Sequence, residues 1–248
     1  KGYLHYGRPG KNFDYSLTLL IASIDINDNP QSPSYPALSY LSKEILPGQG
    51  GSPFNVPVIW YGRPLGSAFP SPNSPKVISQ YHLSNSFFFN ISEELDFELS
   101  ITASEHENKH TRPDIIQSRF EDAIKGQGGI NENEQWNIFL PLENSESLIN
   151  YIKGSESSIR IGSLISLDGV FTGNRNNFDF ALGFQFNEED LDINYSEESR
   201  AAFDKDGKLT KSADLLFLGG GKNVNTKRKK QAVFFEVKNN FNEDLDII

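Results

Sequence analysis

The sequence predicts an all-β chain: an antiparallel, up-and-down sheet of about seven strands, part of a larger transmembrane β-barrel, with long extracellular loops carrying short helices. Three observations predict it. Apolar and polar residues alternate in several stretches, most clearly where Phe178, Phe180, Leu182, Phe184 and Phe186 interleave with Asp179, Ala181, Gly183, Gln185 and Asn187. The connections between these stretches are alternately short and long. The apolar faces run for ~9–11 residues, enough to cross a bilayer when tilted.

The first strand is predicted over 13–25, with Phe13, Tyr15, Leu17, Leu19 and Ile21 on one face and Asp14, Ser16 and Thr18 on the other. A loop over 27–75, rich in Pro, Ser, Gly and Asn, is predicted to be hostile to regular structure. The second strand, 77–91, sets Tyr81, Leu83, Phe87, Phe89 and Ile91 against Gln80, His82, Ser84, Ser86 and Asn90, with Phe88 intruding on the polar side. A tight turn at 92–94 leads to the third, where Leu95, Phe97, Leu99, Ile101 and Ala103 alternate with Asp96, Glu98, Ser100 and Thr102. A second excursion, 105–156, carries two predicted helices, 114–125 and 145–153. Asp114 and Ser145 serve as their N-caps, Gly126 and Gly154 as their stops.

The fourth strand places Ile159, Ile161, Ile165, Leu167 and Phe171 opposite Arg160, Ser166 and Asp168. A short turn at 173–177 precedes the phenylalanine-rich fifth strand. A third loop, 188–225, holds most of the local charge. The sixth strand has Val233, Phe235 and Val237 facing one way and Glu236 and Lys238 the other; a turn at 240–244 starts a seventh at Leu245 and Ile247. Short turns thus follow strands two, four and six, and long loops follow one, three and five. Outer-membrane barrels sort their connections this way, with short periplasmic turns and long extracellular loops. A soluble sandwich has no reason to do so.

Composition bounds the function. A net charge of -10 and a pI near 4.9 argue against generic nucleic-acid binding. The mean hydropathy of -0.47 does not exclude a barrel, whose lumen face and loops are polar. No apolar run approaches the ~18 residues of a transmembrane helix. With no cysteine, neither a disulfide framework nor a thiolate metal site is available. The chain starts and stops in mid-pattern, which reads as an internal piece of a longer protein.

Several strings resemble those of TonB-dependent outer-membrane receptors: Ser32-Pro33-Ser34-Tyr35-Pro36, Trp60-Tyr61-Gly62-Arg63-Pro64-Leu65-Gly66 and Leu215-Leu216-Phe217-Leu218-Gly219-Gly220-Gly221. Most telling is Gln231-Ala232-Val233-Phe234-Phe235-Glu236-Val237 followed by Asp244-Leu245-Asp246, similar to that family's barrel strand, periplasmic turn and next-strand start. The resemblance implies a plugged barrel of about 22 strands, of which this chain supplies roughly a third. It further implies a receptor and transporter, not an enzyme, in the outer membrane of a Gram-negative bacterium. Such a receptor takes up a ferric siderophore, cobalamin or glycan, uses no cofactor, and contacts lipid, lipopolysaccharide and, through an N-terminal region outside this chain, the TonB complex. The alternative is a secreted all-β adhesion or glycan-binding module, in which the Phe/Leu/Ile face packs on a second sheet.

Individual motifs carry competing readings. His106-Glu107-Asn108-Lys109-His110 spells HExxH, which on a helix holds zinc; here it follows a strand, and the expectation is a solvated loop rim with no metal. Asp25-Ile26-Asn27-Asp28-Asn29-Pro30 has oxygen ligands suited to calcium, against a polar strand end. Asp204-Lys205-Asp206-Gly207 suits a turn, and Gly219-Gly220-Gly221-Lys222 lacks phosphate-loop spacing. In the basic run Lys227-Arg228-Lys229-Lys230, Lys227 and Lys229 share the face of Val233 and Phe235. There they either meet lipopolysaccharide phosphates or form a solvated strand end. Trp60, Tyr61 and Arg63 in the first long loop, and Trp136 in the second, are candidate ligand contacts; packing the loops together is the equal alternative.

Overall fold

The computed structural model describes residues 1–30, 39–175, 177–242 and 245–247, with side chains described to residue 239. Alternating sequence becomes strand as expected, with β2, β6 and β8 starting where predicted, but several strands run longer, β6 and β7 most of all. The chain opens with β1 (Gly2–Arg8) and β2 (Phe13–Ile26), then a small hairpin of β3 (Leu41–Ile45) and β4 (Val58–Gly62). β5 (Lys76–Ser92) and β6 (Leu95–Ile115) follow, then helices α1 (Gln117–Ile124) and α2 (Glu146–Ile152). β7 (Lys153–Arg175) and β8 (Phe178–Tyr195) precede a second small pair, β9 (Ala202–Phe203) and β10 (Leu209–Lys211), and the chain closes with β11 (Val224–Asn242) and β12 (Leu245–Ile247).

Eight strands form one sheet in chain order, β1-β2-β5-β6-β7-β8-β11-β12, each antiparallel to its neighbour. It is open, with β1 and β12 at its edges. The sorting of connections holds and gains a member, since β1 adds a short turn at 9–12. The short turns share one end of the sheet: Asn90 N–H donates to Asn12 O (3.1 Å) and Asn174 N–H to Glu94 O (3.0 Å).

Several boundaries differ from the sequence expectation. The third strand does not stop near Ala103. β6 spans 21 residues, because its polar upper half is held by ladders to β5 and β7 on both sides. α1 therefore starts later, with Ile116 at its N-cap and no capping side chain; Asp114 lies in β6 instead. Ser145 does cap α2, its hydroxyl accepting from Leu148 N–H at 3.0 Å. Gly126 ends α1 with φ of 87°, a conformation glycine adopts freely, whereas Gly154 already belongs to β7. The first long loop, expected to lack regular structure, contains the β3–β4 hairpin. Ser32, Pro33, Ser34, Tyr35, Pro36 and Asp244 lie outside the described residues.

The buried core is not in the sheet. Ile45, Leu65, Phe120, Ala123, Ile124, Trp136, Ile138, Leu148 and Ile152 form one cluster, drawn from the first two long connections and joined by Ile115 at the top of β6. Leu216 and Phe217 of the third connection pack against it. Main-chain bonds stitch these segments: Gly50 N–H to Ile124 O (2.9 Å), Ile138 N–H to Gly50 O (2.9 Å) and Leu216 N–H to Ile115 O (2.9 Å). The long connections thus make a cap with its own interior at one end of a sheet that the described residues otherwise leave uncovered.

Candidate functional site

Register assigns every strand residue to one of two faces. One face collects Phe13, Tyr15, Leu17, Leu19 and Ile21 of β2 opposite Phe89, Phe87, Leu83 and Tyr81 of β5. Phe97, Leu99, Ile101 and Ala103 of β6 follow, then Phe171, Leu167 and Ile165 of β7. Phe178, Phe180, Leu182, Phe184 and Phe186 of β8 meet Val237, Phe235 and Val233 of β11. The result is one apolar band about nine residues tall, within the height of a barrel's lipid-facing belt. Its turn-end margin is aromatic: Phe97 stacks on Phe171 at 4.2 Å between ring centroids, and Phe13 lies 5.1 Å from Phe89. Phe235 is 69 % exposed and Val233 78 %. A continuous exposed apolar surface of this kind marks a contact with something other than water.

The other face is mostly polar over the same height, with Phe88, Val170 and Phe234 as apolar members. Ser84 pairs with Thr102 (3.2 Å) and Ser86 with Ser100 (3.0 Å); Gln185 donates to Asp168 (2.6 Å) and Ser166 to Asn187 (2.6 Å). Both His106 and His110 stand on this face of β6. Four residues apart on a strand they are separated by about 13 Å, so HExxH here makes no shared metal site, and it sits in a strand, not on the expected loop rim. His110 lies beside Ser74, whose hydroxyl donates to Thr111 O (2.7 Å) and sits 3.1 Å from the ring. Burial first, then the charges of Lys76, Arg112 and Arg160, push the His110 pKa below its ordinary value.

Lys227 and Lys229 lie just above the apolar band, on its face, as their parity required. They do not stand free. Lys227 pairs with Glu188 and with Asp190 (3.6 Å), and Lys229 with Glu188 (3.1 Å). On the polar face Arg228 and Lys230 (2.6 Å) share Glu189. The basic run of β11 is thus matched, rung by rung, to the acidic run of β8.

The four loop candidates separate. Trp136 is fully buried, 6.3 Å edge-on from Phe120; of its two alternatives, packing is the one observed, and its ring offers no surface to a ligand. Trp60 is half-buried against the cap core. Tyr61, on the outer side of β4, is 69 % exposed and stacks on Tyr40 at 5.3 Å, while the Arg63 guanidinium lies 4.9 Å above the Tyr40 ring. Tyr61 and Arg63 are therefore together at the surface, with Tyr40 between them. Tyr40 carries no motif; only its place opposite Arg63 at the hairpin mouth reveals it.

Two buried carboxylates also escaped the sequence. Asp114, 1 % exposed, accepts from Ile115 N–H (2.7 Å), Phe217 N–H (3.3 Å) and Leu218 N–H (2.7 Å). Its burial raises its pKa, against the opposing pull of those amides. Glu156 pairs with Arg112 and accepts from Gly220 N–H at 3.1 Å. These bonds account for the string 215–221: it is the segment of the third connection fastened to the tops of β6 and β7. Gly220, with φ of 63°, also sits where a side chain would strike Ser199 O.

No family model, curated protein or solved structure matches the chain. Function therefore rests on the surfaces themselves.

Proposed function

We propose that this chain is part of the wall and outer loops of an outer-membrane transporter of the TonB-dependent receptor type, its apolar face against lipid and its polar face toward the lumen. One observation carries the reading: a single apolar band, about nine residues tall, runs across the strands from β2 to β11 with no layer of the described residues over it. A secreted sandwich would need a second sheet on that face. The turns lie at one end and the cap at the other, so the cap is the outer, ligand-meeting surface, where Tyr40, Tyr61 and Arg63 are presented. Closure would require further strands to pair with the edges β1 and β12.

Because the chain has no cysteine, single-cysteine spin labels test this cleanly. Labels at 178–187, in protein reconstituted into vesicles, are expected to alternate: even positions accessible to oxygen in lipid, odd positions to a water-soluble nickel chelate. A detergent-free monomer with a cooperative melt, or labels at Leu182 and Phe184 shielded from both reagents, would sink the proposal.

A further inference from the structure

The cap carries a cavity of its own, of about 570 Å³, within the range of small-molecule sites. Arg119 of α1 stands on one side of it, Ser147, Asn150 and Tyr151 of α2 on another. The connection between the two helices adds Ile130 and Glu132. That segment is a closed turn: Gly128 N–H donates to Glu134 O (2.8 Å) and Glu134 N–H to Gly128 O (2.9 Å).

Two opposite charges line this cavity, and neither is neutralised. Arg119 donates to Tyr151 O at 3.2 Å, and its guanidinium lies 5.6 Å over the Tyr151 ring. Neither Arg119 nor Glu132 forms an ion pair among the described residues. The charges around them are engaged elsewhere. Glu121 pairs with Lys43 (2.6 Å), Asp122 with Lys125 (4.0 Å), and Glu134 accepts from the Ser145 hydroxyl (3.0 Å). Lys153 lies on Asn150 Oδ1 (3.3 Å) and over the Phe69 ring. The lining is thus neutral in sum but polarised, with a cation from α1 and an anion from the turn.

The anion also sits in a costly backbone conformation. Glu132 has φ of 53°, in the left-handed region that disfavours a residue with a Cβ. Asparagine adopts that region more readily, and Asn131 and Asn133 stand on either side, yet it is the glutamate that takes it. Ile130 in the same turn is 86 % exposed, an apolar contact fixed at the rim of a polar cavity.

We infer that this cavity binds a small zwitterion, of the amino-acid or short-peptide kind. Its carboxylate meets the Arg119 guanidinium, whose paired N–H groups suit a carboxylate. Its ammonium meets Glu132, and its apolar side chain lies against Ile130. A net anion would be opposed by Glu132 and a net cation by Arg119. A neutral sugar would leave both charges without a countercharge, and the Tyr151 ring on which it would stack already lies beneath Arg119. The site rests on the transporter reading for its role, as the place of capture before passage, and it names a ligand class for the cap.

The test is equilibrium binding to the full chain in detergent micelles, with leucine and glycyl-leucyl-glycine as probes and maltose as neutral control. At least one zwitterion is expected to bind and maltose not to bind; leucine alone would mark an amino-acid site, the tripeptide alone a peptide site. N-acetylating or C-amidating the bound probe should weaken it about tenfold, the usual loss for one charge-assisted hydrogen bond. Arg119→Gln should weaken the free probe by the same factor and the amidated one hardly at all. Glu132→Gln should do so for the free probe and spare the acetylated one. Glu132→Gly removes the carboxylate and relaxes the turn, so binding should weaken while the melting temperature does not fall, a pair of results that a misfolded cap cannot give. Failure of both zwitterions, equal binding of free and blocked probes, maltose binding as tightly, or binding indifferent to Arg119→Gln and Glu132→Gly would overturn the inference. The spin-label pattern is measured separately on the sheet, so a failed transporter reading and a failed cap site give distinguishable results.

Discussion

At the residue scale, two ionisable groups above the apolar band respond to pH in opposite directions. Asp114 is held above its ordinary pKa, burial outweighing its amide donors. Its folded form therefore favours the proton, and the stabilisation present at low pH is lost as pH rises from the ordinary carboxylate value, 3.8, through the raised one. His110 is held below 6.5. It contributes stability above that value and loses it as pH falls through the lowered one. Amide exchange at 214–221, followed from pH 4 to 8, should report both. Asp114→Asn should remove the loss of protection on the alkaline side and His110→Gln the loss on the acid side. Unaltered profiles in both variants would mean that neither group is linked to docking of this segment. Neither carboxylate–amide contact was legible in the sequence: Asp114 looks like a helix N-cap, and its partners at 217 and 218 lie about a hundred positions away, so no local spacing records them.

At the element scale, the strands were legible where one face was apolar and illegible where both were polar. The alternation of 178–187 fixed β8 at once. The upper half of β6 alternates His106, Asn108 and His110 with Glu107 and Lys109, which has a period but no hydrophobic contrast, so only its neighbours' ladders define it. β3 and β4, five residues each, are too short for a periodic signal, though Leu41, Ile45, Val58 and Trp60 do point one way into the cap core. Glycines in the sheet carry a further message. Gly169 faces Phe184, Gly173 faces Phe180 and Gly183 faces Phe234 across adjacent strands. In each pair the ring lies over the glycine, where a Cβ would collide with it. The ring covers backbone that a side chain would otherwise shield, as in aromatic rescue of sheet glycines. Gly169→Ala and Gly183→Ala should each displace a ring and cost about 1–3 kcal/mol, the usual penalty of overpacking. Gly162→Ala, with open space above it, should cost far less. Denaturant unfolding of the three variants in micelles checks the order, and equal stability of all three would refute it.

At the scale of the whole molecule, the apolar residues divide between two settings, the interior of the cap and an exposed face of the sheet. Apolar side chains of the cap lie inside it; most of those of the sheet gather on one face that none of the described residues covers. Trp136 and Phe235 are both large aromatics in this sequence, yet one is fully buried and the other 69 % exposed. The cap should therefore be separable from the sheet in stability. Truncating Trp136, packed at the centre of the cap with Phe120, Ile124 and Ile138, should cost about 3–5 kcal/mol, as loss of a buried aromatic does. That loss should fall on the cap alone, because the ladder from β2 to β11 draws nothing from this cluster except Ile115. In micelles, Trp136→Ala is expected to speed amide exchange through α1, α2 and the β3–β4 hairpin while leaving β7 and β8 below residue 187 as slow as before. Phe235→Ala should leave both sets of amides slow in micelles, since its ring is 69 % exposed on the sheet face and takes no part in the cap cluster. Exchange rising together across cap and sheet in Trp136→Ala would show a single cooperative unit, and the cap would then be part of what holds the sheet together.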